Sequence, residues 1–234
     1  MRSLVALLLL ACSTTPAPRP AAPPRAAGGD EFTATFNVAP DEWTDTGRNP
    51  WFSLVPGDQS TFEGGDAKLV ITVLDETRTV DGVQTRVIEE REWDEGQLEE
   101  VSRNFFALSK RTNSVYYFGE EVDIYEDGKL ARHEGAWMSG EKGARFGLMM
   151  PGEPLLGGRY YQEQAPGEAM DRAEIVGLAE TLTTPAGTFS NCLKAEETTP
   201  LEPKAREAKI YAPGVGLIKD GEVVLVKQGR AEGR

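Results

Sequence analysis

The chain has 234 residues, 38 acidic against 25 basic side chains, a formal net charge of −13 and a single histidine. So acidic a balance excludes a nucleic-acid partner, whose phosphates demand clustered Lys and Arg, and disfavours electrostatic adhesion to anionic lipid. One histidine also falls short of the two or three ligands usual in a catalytic zinc site.

The first element in chain order is MRSLVALLLLAC, in which Arg2 supplies a basic start and Leu4 to Ala11 an apolar run. That run is too short to span a bilayer, which takes roughly 20 residues. Cys12 stands where a secretory signal would carry its small-residue cleavage site, and the arrangement resembles a bacterial lipoprotein signal. The resemblance implies removal of residues 1–11 and acylation of Cys12, with Ser13 favouring the outer membrane. Several acyl chains anchor firmly where one binds marginally. The expected location is therefore the cell envelope, lipid-anchored and exported. Residues 12–30, rich in Pro and Ala, read as an extended tether. Residues 31–234 read as a single β domain.

Within that domain strands and turns follow one another almost without interruption. Asp81-Gly82, Asp127-Gly128 and Asp220-Gly221, with the related Asp94-Glu95-Gly96, lie between β-rich runs, and such dipeptides suit the positive φ of tight hairpin turns. The spacing predicts hairpin strands at 68–80 with 83–93, continuing through 97–108, and at 114–126 with 129–137. Later strands fall at 159–164, 170–183, 187–198, 206–211 and 216–227. Leu69 to Leu74 is apolar at both parities, as in a strand covered on both faces. The predicted fold is mainly β: a single antiparallel, strongly curved sheet or an open barrel.

The chemistry-bearing residues are sparse. His133 sits beside Glu134 on a polar run and reads as exposed and structural. Cys192, the one thiol left once Cys12 is acylated, lies between apolar neighbours and reads as buried and inert. No nucleophile elbow, phosphate loop or dinucleotide fingerprint is present. Acidic groups recur at Glu89-Glu90, Glu99-Glu100, Glu120-Glu121 and Glu196-Glu197, and read as solvated strand faces that discourage edge-to-edge aggregation. The aromatic residues Phe105, Phe106, Tyr116, Tyr117 and Tyr160 are the candidate lining of an apolar ligand cavity, because curved sheets commonly enclose ligands.

Three turn motifs carry a wider resemblance: Asn49-Pro50-Trp51-Phe52-Ser53-Leu54-Val55-Pro56-Gly57, Pro185-Ala186-Gly187-Thr188-Phe189 and Tyr211-Ala212-Pro213-Gly214-Val215-Gly216. Together with Tyr117-Phe118-Gly119-Glu120 they are similar, from about Asn49 to Leu217, to a family of uncharacterised exported bacterial β-proteins. The last two also resemble periplasmic half-barrels of the lipoprotein-carrier kind. The chain departs from the first family at Leu108 to Ser114. Neither resemblance brings catalytic residues, metal ligands or a cofactor. The expected function is that of a non-enzymatic envelope lipoprotein binding an apolar ligand or an envelope protein. The alternatives are a carboxylate-dependent envelope hydrolase and a purely structural surface lipoprotein.

Overall fold

The computed structural model describes residues 31–231. Cys12 and the segment expected to act as its tether lie outside the described residues. A 3-10 turn, Pro40–Glu42, precedes the strands Trp43–Thr44 (β1), Arg48–Asn49 (β2), Phe52–Ser53 (β3) and Asp58–Gly64 (β4). The long meander follows as Ala67–Val80 (β5), Val83–Asp94 (β6), Gln97–Ser109 (β7) and Val115–Glu126 (β8). Shorter strands come next: Lys129–His133 (β9), Trp137–Met138 (β10), Arg145–Met150 (β11), Arg159–Tyr161 (β12) and Glu163–Gln164 (β13). The chain ends in Arg172–Thr184 (β14), Gly187–Thr198 (β15), Glu207–Ala212 (β16), Gly216–Asp220 (β17) and Val223–Arg230 (β18).

The expected strands of the meander and of the last third are present within a few residues. Their turns have the predicted chemistry: Asp81 and Gly82 sit at φ 50° and 77°, Asp127 and Gly128 at 52° and 71°. Strands β1 to β4, β10 and β11 were not predicted. Each is short or rich in Gly, Ser and charged residues, so its own pattern is weak.

One antiparallel sheet runs in the order β12-β14-β15-β16-β17-β18-β4-β5-β6-β7-β8-β11-β13. Its two ends are neighbours in sequence. Tyr160 in β12 pairs with Ala173 of β14, Phe146 of β11 pairs with Glu163 in β13, and Gln162 alone joins the two short strands. The sheet thus curls into a nearly closed barrel with one unsealed seam at a kink in the chain. Gln162 is buried, and its amide N–H donates to the Asp171 carbonyl (2.8 Å) rather than to a ladder partner. The kink leans on β11, where a Cβ at Gly147 would lie 2.3 Å from the Gln162 carbonyl oxygen. Glycine is therefore required there by close backbone approach.

Alternation along the strands divides the apolar residues between two faces. Ile88, Phe106, Tyr117, Tyr160, Leu193 and Tyr211 belong to a core cluster inside the curl. Val87, Phe105, Tyr116 and Phe118 form another on the outer face, covered by Phe36, Val38 and Trp43 of the N-terminal segment. Trp43 meets Tyr116, Phe118 and Phe146 edge to face, with ring centroids 5.3 to 5.7 Å apart. One end is plugged by two of the turn motifs. The Gly214 N–H donates to the Pro50 carbonyl (2.7 Å), and the buried Asn49 amide donates to the carbonyls of Asn113 (2.8 Å) and Pro151 (3.0 Å).

The seam gives a direct test. Gly147→Ala is expected to destabilise the domain by about 1–3 kcal/mol, the overpacking range, and to raise amide exchange selectively over residues 159–164. Wild-type exchange in that segment would show that closure does not depend on the missing Cβ.

Candidate functional site

The interior holds the site. Strands β4 to β7, β11 and β16 to β18 contribute to a cavity of about 110 Å³ beneath the plug: Ser60, Ile71, Ile88, Phe106, Met149 and Tyr211 among them, roofed by Trp51 and Phe52. Glu90, Lys209 and Asp220 complete its wall. Toward the opposite end the acidic side chains multiply. There a wider opening of about 610 Å³ is lined by Asp171, Glu197 and Glu207 among others.

The five aromatic residues expected to line a cavity separate. Phe106, Tyr117 and Tyr160 lie in the interior cluster, and of these Phe106 borders the cavity. Phe105 and Tyr116 belong to the outer cluster under the N-terminal segment. A strand period of two sends neighbours such as Phe105 and Phe106 to opposite faces, so neither aromatic pair could have lined one cavity whole.

The same alternation corrects the reading of the acidic groups as solvated faces. Each adjacent pair splits. Glu121 forms an outer ion pair with Arg78, and Glu196 with Arg206, whereas Glu120 and Glu197 turn inward. Glu90 follows Ile88 onto the inner face, and Glu92 follows Glu90 toward the open end.

A bulge sets the position of Glu120. Tyr117 and Glu120, three residues apart, would face opposite sides of a regular strand. The register between β7 and β8 slips at Phe105 and Phe106, so that Phe106 pairs with Tyr117 and Asn104 with Glu120. This extra residue returns both side chains to the interior. Gly119 sits in the slip at φ 147°, and a Cβ there would lie 2.4 Å from the Trp137 carbonyl oxygen. Tyr117 stacks on Phe106 with ring centroids 4.6 Å apart. Its hydroxyl meets both the Asn104 side-chain carbonyl and Glu120 Oε2, the latter at 2.9 Å. A phenol has one proton to donate, and the Asn104 oxygen can only accept. The phenol can therefore serve only one of them while Glu120 is ionised, and both contacts hold at once only when Glu120 carries a proton.

Burial explains why it would. Desolvation pushes Glu120 up to about 7, although the Tyr117 hydroxyl opposes the shift. Glu90 rises to about 8, again chiefly by desolvation, with Lys209 opposing and Asp220, Glu92 and Glu120 reinforcing. Glu163 is raised by burial first and by the nearby charges of Glu120 and Asp171 second. Lys209 is held protonated between Glu197 (3.2 Å) and Asp220 (3.4 Å), whose charges outweigh its desolvation. Glu197 also accepts from the Gln162 side-chain amide at 2.7 Å. The indole N–H of Trp137 lies close to the Glu120 and Glu163 carboxyls, yet makes no hydrogen bond of ordinary geometry with either.

Sequence reasoning missed Gln162, Glu163 and Lys209. Glu163 and Gln162 sit in a segment legible only as a strand, and the kink that turns both inward has no local signature. Two other readings are matched. His133 is exposed and contacts Asp123 at 2.6 Å. Cys192 is fully buried, and desolvation pushes its thiol up. Among the described residues, no three His, Cys, Asp or Glu side chains converge as a metal-binding group would.

The fold and site together define a single-sheet antiparallel β-barrel with one seam, plugged at one end and acid-lined toward the other. No protein-family model matches the sequence, and no curated protein aligns with it. A solved structure, that of a candidate lipoprotein from Parabacteroides distasonis ATCC 8503, overlays 76% of this chain and 97% of its own with a TM-score of 0.37 and 14% identity. So loose a superposition leaves the function of this chain to be argued from its own geometry.

The raised carboxyls make stability pH-dependent in a stated direction. The folded chain retains protons on Glu90, Glu120 and Glu163 that the unfolded chain releases near its ordinary carboxylate range. Stability therefore falls as pH rises from about 5 to about 8. The melting temperature is expected to be higher near about pH 5.5 than near about pH 8.5. Glu90→Gln should recover on the order of 1–2 kcal/mol at the higher pH, allowing for solvent screening, or about 2–8 °C for a domain of this size. A melting temperature that rises with pH over this window would contradict the protonated interior.

Proposed function

We propose that the protein is an exported lipoprotein, anchored through acylated Cys12, whose β domain binds a small ligand inside the barrel. The observation that carries the binding reading is the cavity beneath Trp51 and Phe52, walled by apolar side chains on β4 to β7, β11 and β16 to β18 and edged by a few charged groups. Ligand sites commonly combine an apolar enclosure with a small number of placed polar groups. Its size limits the ligand. An engineered apolar cavity of about 150 Å³ takes a benzene ring, so about 110 Å³ takes a short chain or small ring and not a whole lipid. This size argues against carriage of a complete acylated protein or phospholipid within the cavity.

A second reading has its own observation. Glu120 and Glu163 are both raised chiefly by desolvation, and the charge of Glu120 raises Glu163 further, a separation of carboxyl affinities of the kind glycoside hydrolysis uses. A carboxylate-dependent hydrolase would turn over chromogenic glycosides and lose that activity in both Glu120→Gln and Glu163→Gln.

Native mass spectrometry of the full chain, purified from bacterial envelopes, tests the binding reading. A small molecule is expected to leave the protein at moderate collision energy, and a consistently bare protein would count against a resident ligand. For the anchor, Cys12→Ser is expected to shift the protein from the membrane pellet to the soluble envelope fraction. Unchanged retention in the pellet would refute acylation at that residue.

A further inference from the structure

Among the described residues six large apolar side chains stay well exposed, and four of them, Leu155, Leu156, Val176 and Leu178, lie together. Apolar side chains exposed singly need no explanation, whereas a contiguous set marks a contact surface. Leu155 and Leu156 are 68% and 67% exposed. They sit in the loop from β11 to β12, residues 151–158, whose one charged residue is Glu153. The loop ends in a tight turn. The Gly158 N–H donates to the Leu155 carbonyl (2.8 Å), and Gly157 takes the third position at φ 80°, which glycine adopts without steric cost. Two bonds fasten this turn to β14: the Gly157 N–H donates to the Ile175 carbonyl (2.7 Å), and the Ile175 N–H to the Gly158 carbonyl (2.9 Å). Ile175 faces the core, so Val176 and Leu178 take the outward parity, 39% and 37% exposed. The turn therefore holds two leucines outward beside two further apolar side chains.

A separate observation concerns where the described chain begins. Thr33 forms a parallel bridge with Tyr160: its N–H donates to the Arg159 carbonyl (3.0 Å), and its carbonyl accepts from the Tyr161 N–H (3.0 Å). Phe32 packs edge to face on Tyr161, with the Arg172 guanidinium 4.4 Å from its ring centre. Because the bridge is parallel, the step back from Thr33 to Glu31 runs alongside the step back from Tyr160 to the leucine turn. Glu31 therefore leaves the barrel on the side of the exposed leucines. From there residues 13–30 can reach at most roughly 60 Å toward Cys12, the limit for a fully extended chain of that length.

We infer that the Leu155–Leu156 turn is a second membrane contact, dipping into the lipid bilayer to which Cys12 anchors the chain. This inference rests on the anchoring at Cys12 and adds how the anchored domain meets the bilayer. The contact is apolar in kind. Residues 151–158 carry no basic side chain, and the acidic balance of the chain disfavours adhesion to anionic lipid. Two leucines alone bind a bilayer weakly, but an anchor makes the second contact intramolecular and so raises its occupancy without further contacts. The same loop begins at Pro151, whose carbonyl accepts from the Asn49 amide of the plug (3.0 Å). Insertion of the turn thus brings the plugged end of the barrel, with the cavity beneath it, toward the lipid.

The test reads the surroundings of the turn directly. Leu156→Cys supplies the accessible thiol, since Cys192 is fully buried and Cys12 is acylated in the anchored chain. The full chain, purified from envelopes and labelled there with nitrobenzoxadiazole, is reconstituted with phosphatidylcholine vesicles. Lys129→Cys, labelled in the same way, is the control, because Lys129 pairs with Glu126 at the end of β8 remote from Val115 and Met150. On vesicles the Leu156→Cys probe is expected to shift its emission to the blue and to lose most of its quenching by iodide. The Lys129→Cys probe should keep both. Adding Leu155→Ser, an exposed substitution that leaves the melting temperature unchanged, should restore much of the quenching. A chain that floats with the vesicles while its Leu156→Cys probe stays as quenched as in solution would overturn the inference and leave the anchor standing. A chain that does not float removes the anchor, and the inference with it. Shielding of both probes alike would also overturn it. Shielding without vesicles that grows with protein concentration would assign the turn to a second copy of the chain instead.

Discussion

The structure depends on how its sheet closes. Two edges that would otherwise expose unpaired backbone are brought together by one residue, Gln162, with β12 bonded to β14 on one side and β13 to β11 on the other. A strand edge left open is a template for association with another chain, and curling the sheet onto itself removes most of that hazard. Closure has a geometric condition, the absence of a side chain at Gly147. It also has an electrostatic consequence. Side chains on the inner parity of the long strands are drawn away from bulk water toward the plugged end, whether or not their chemistry suits withdrawal.

That consequence separates the two ends of the interior. Near the plug, inner positions carry Ile88, Phe106, Leu54 and Tyr211, and burial there is favourable at roughly 25 cal/mol per Å². Further along the same strands the inner positions carry Glu90, Glu120, Glu197 and Asp220. An isolated carboxylate in such surroundings is costly, and proteins relieve the cost by pairing the charge or by neutralising it. Both solutions occur here. Lys209 pairs with Glu197 and Asp220, and Glu90 and Glu120 move toward the protonated form.

Much of the architecture was legible from residue order. The Asp81-Gly82 and Asp127-Gly128 turns, the strands they join and the all-antiparallel character follow from local turn chemistry and β-branched runs, which act over a few residues and need no tertiary context. The same period of two puts Phe105 and Phe106 on opposite faces, which the reading of both as one cavity lining overlooked. What resisted reading were features set by contacts distant in sequence. The bulge that brings Tyr117 and Glu120 to one side is defined against β7 and β10. The inward turn of Glu163 depends on a kink held by Asp171 and Gly147. Adjacent acids such as Glu120 and Glu121 look alike in sequence, and the closed sheet alone makes one of them an inward, half-buried acid and the other a surface ion-pair partner.

By itself the sequence determined a signal-like start ending at Cys12, a Pro-rich stretch after it, an acidic balance and a chain of hairpins, because charge, composition and tight-turn geometry are local properties. The tertiary structure decided that the hairpins close through Gln162, that Phe106, Tyr117 and Tyr160 face inward, and that Glu90, Glu120 and Glu163 share an enclosed interior. Those are matters of register and closure, and the environment of a carboxyl is fixed by whatever strands lie across from it.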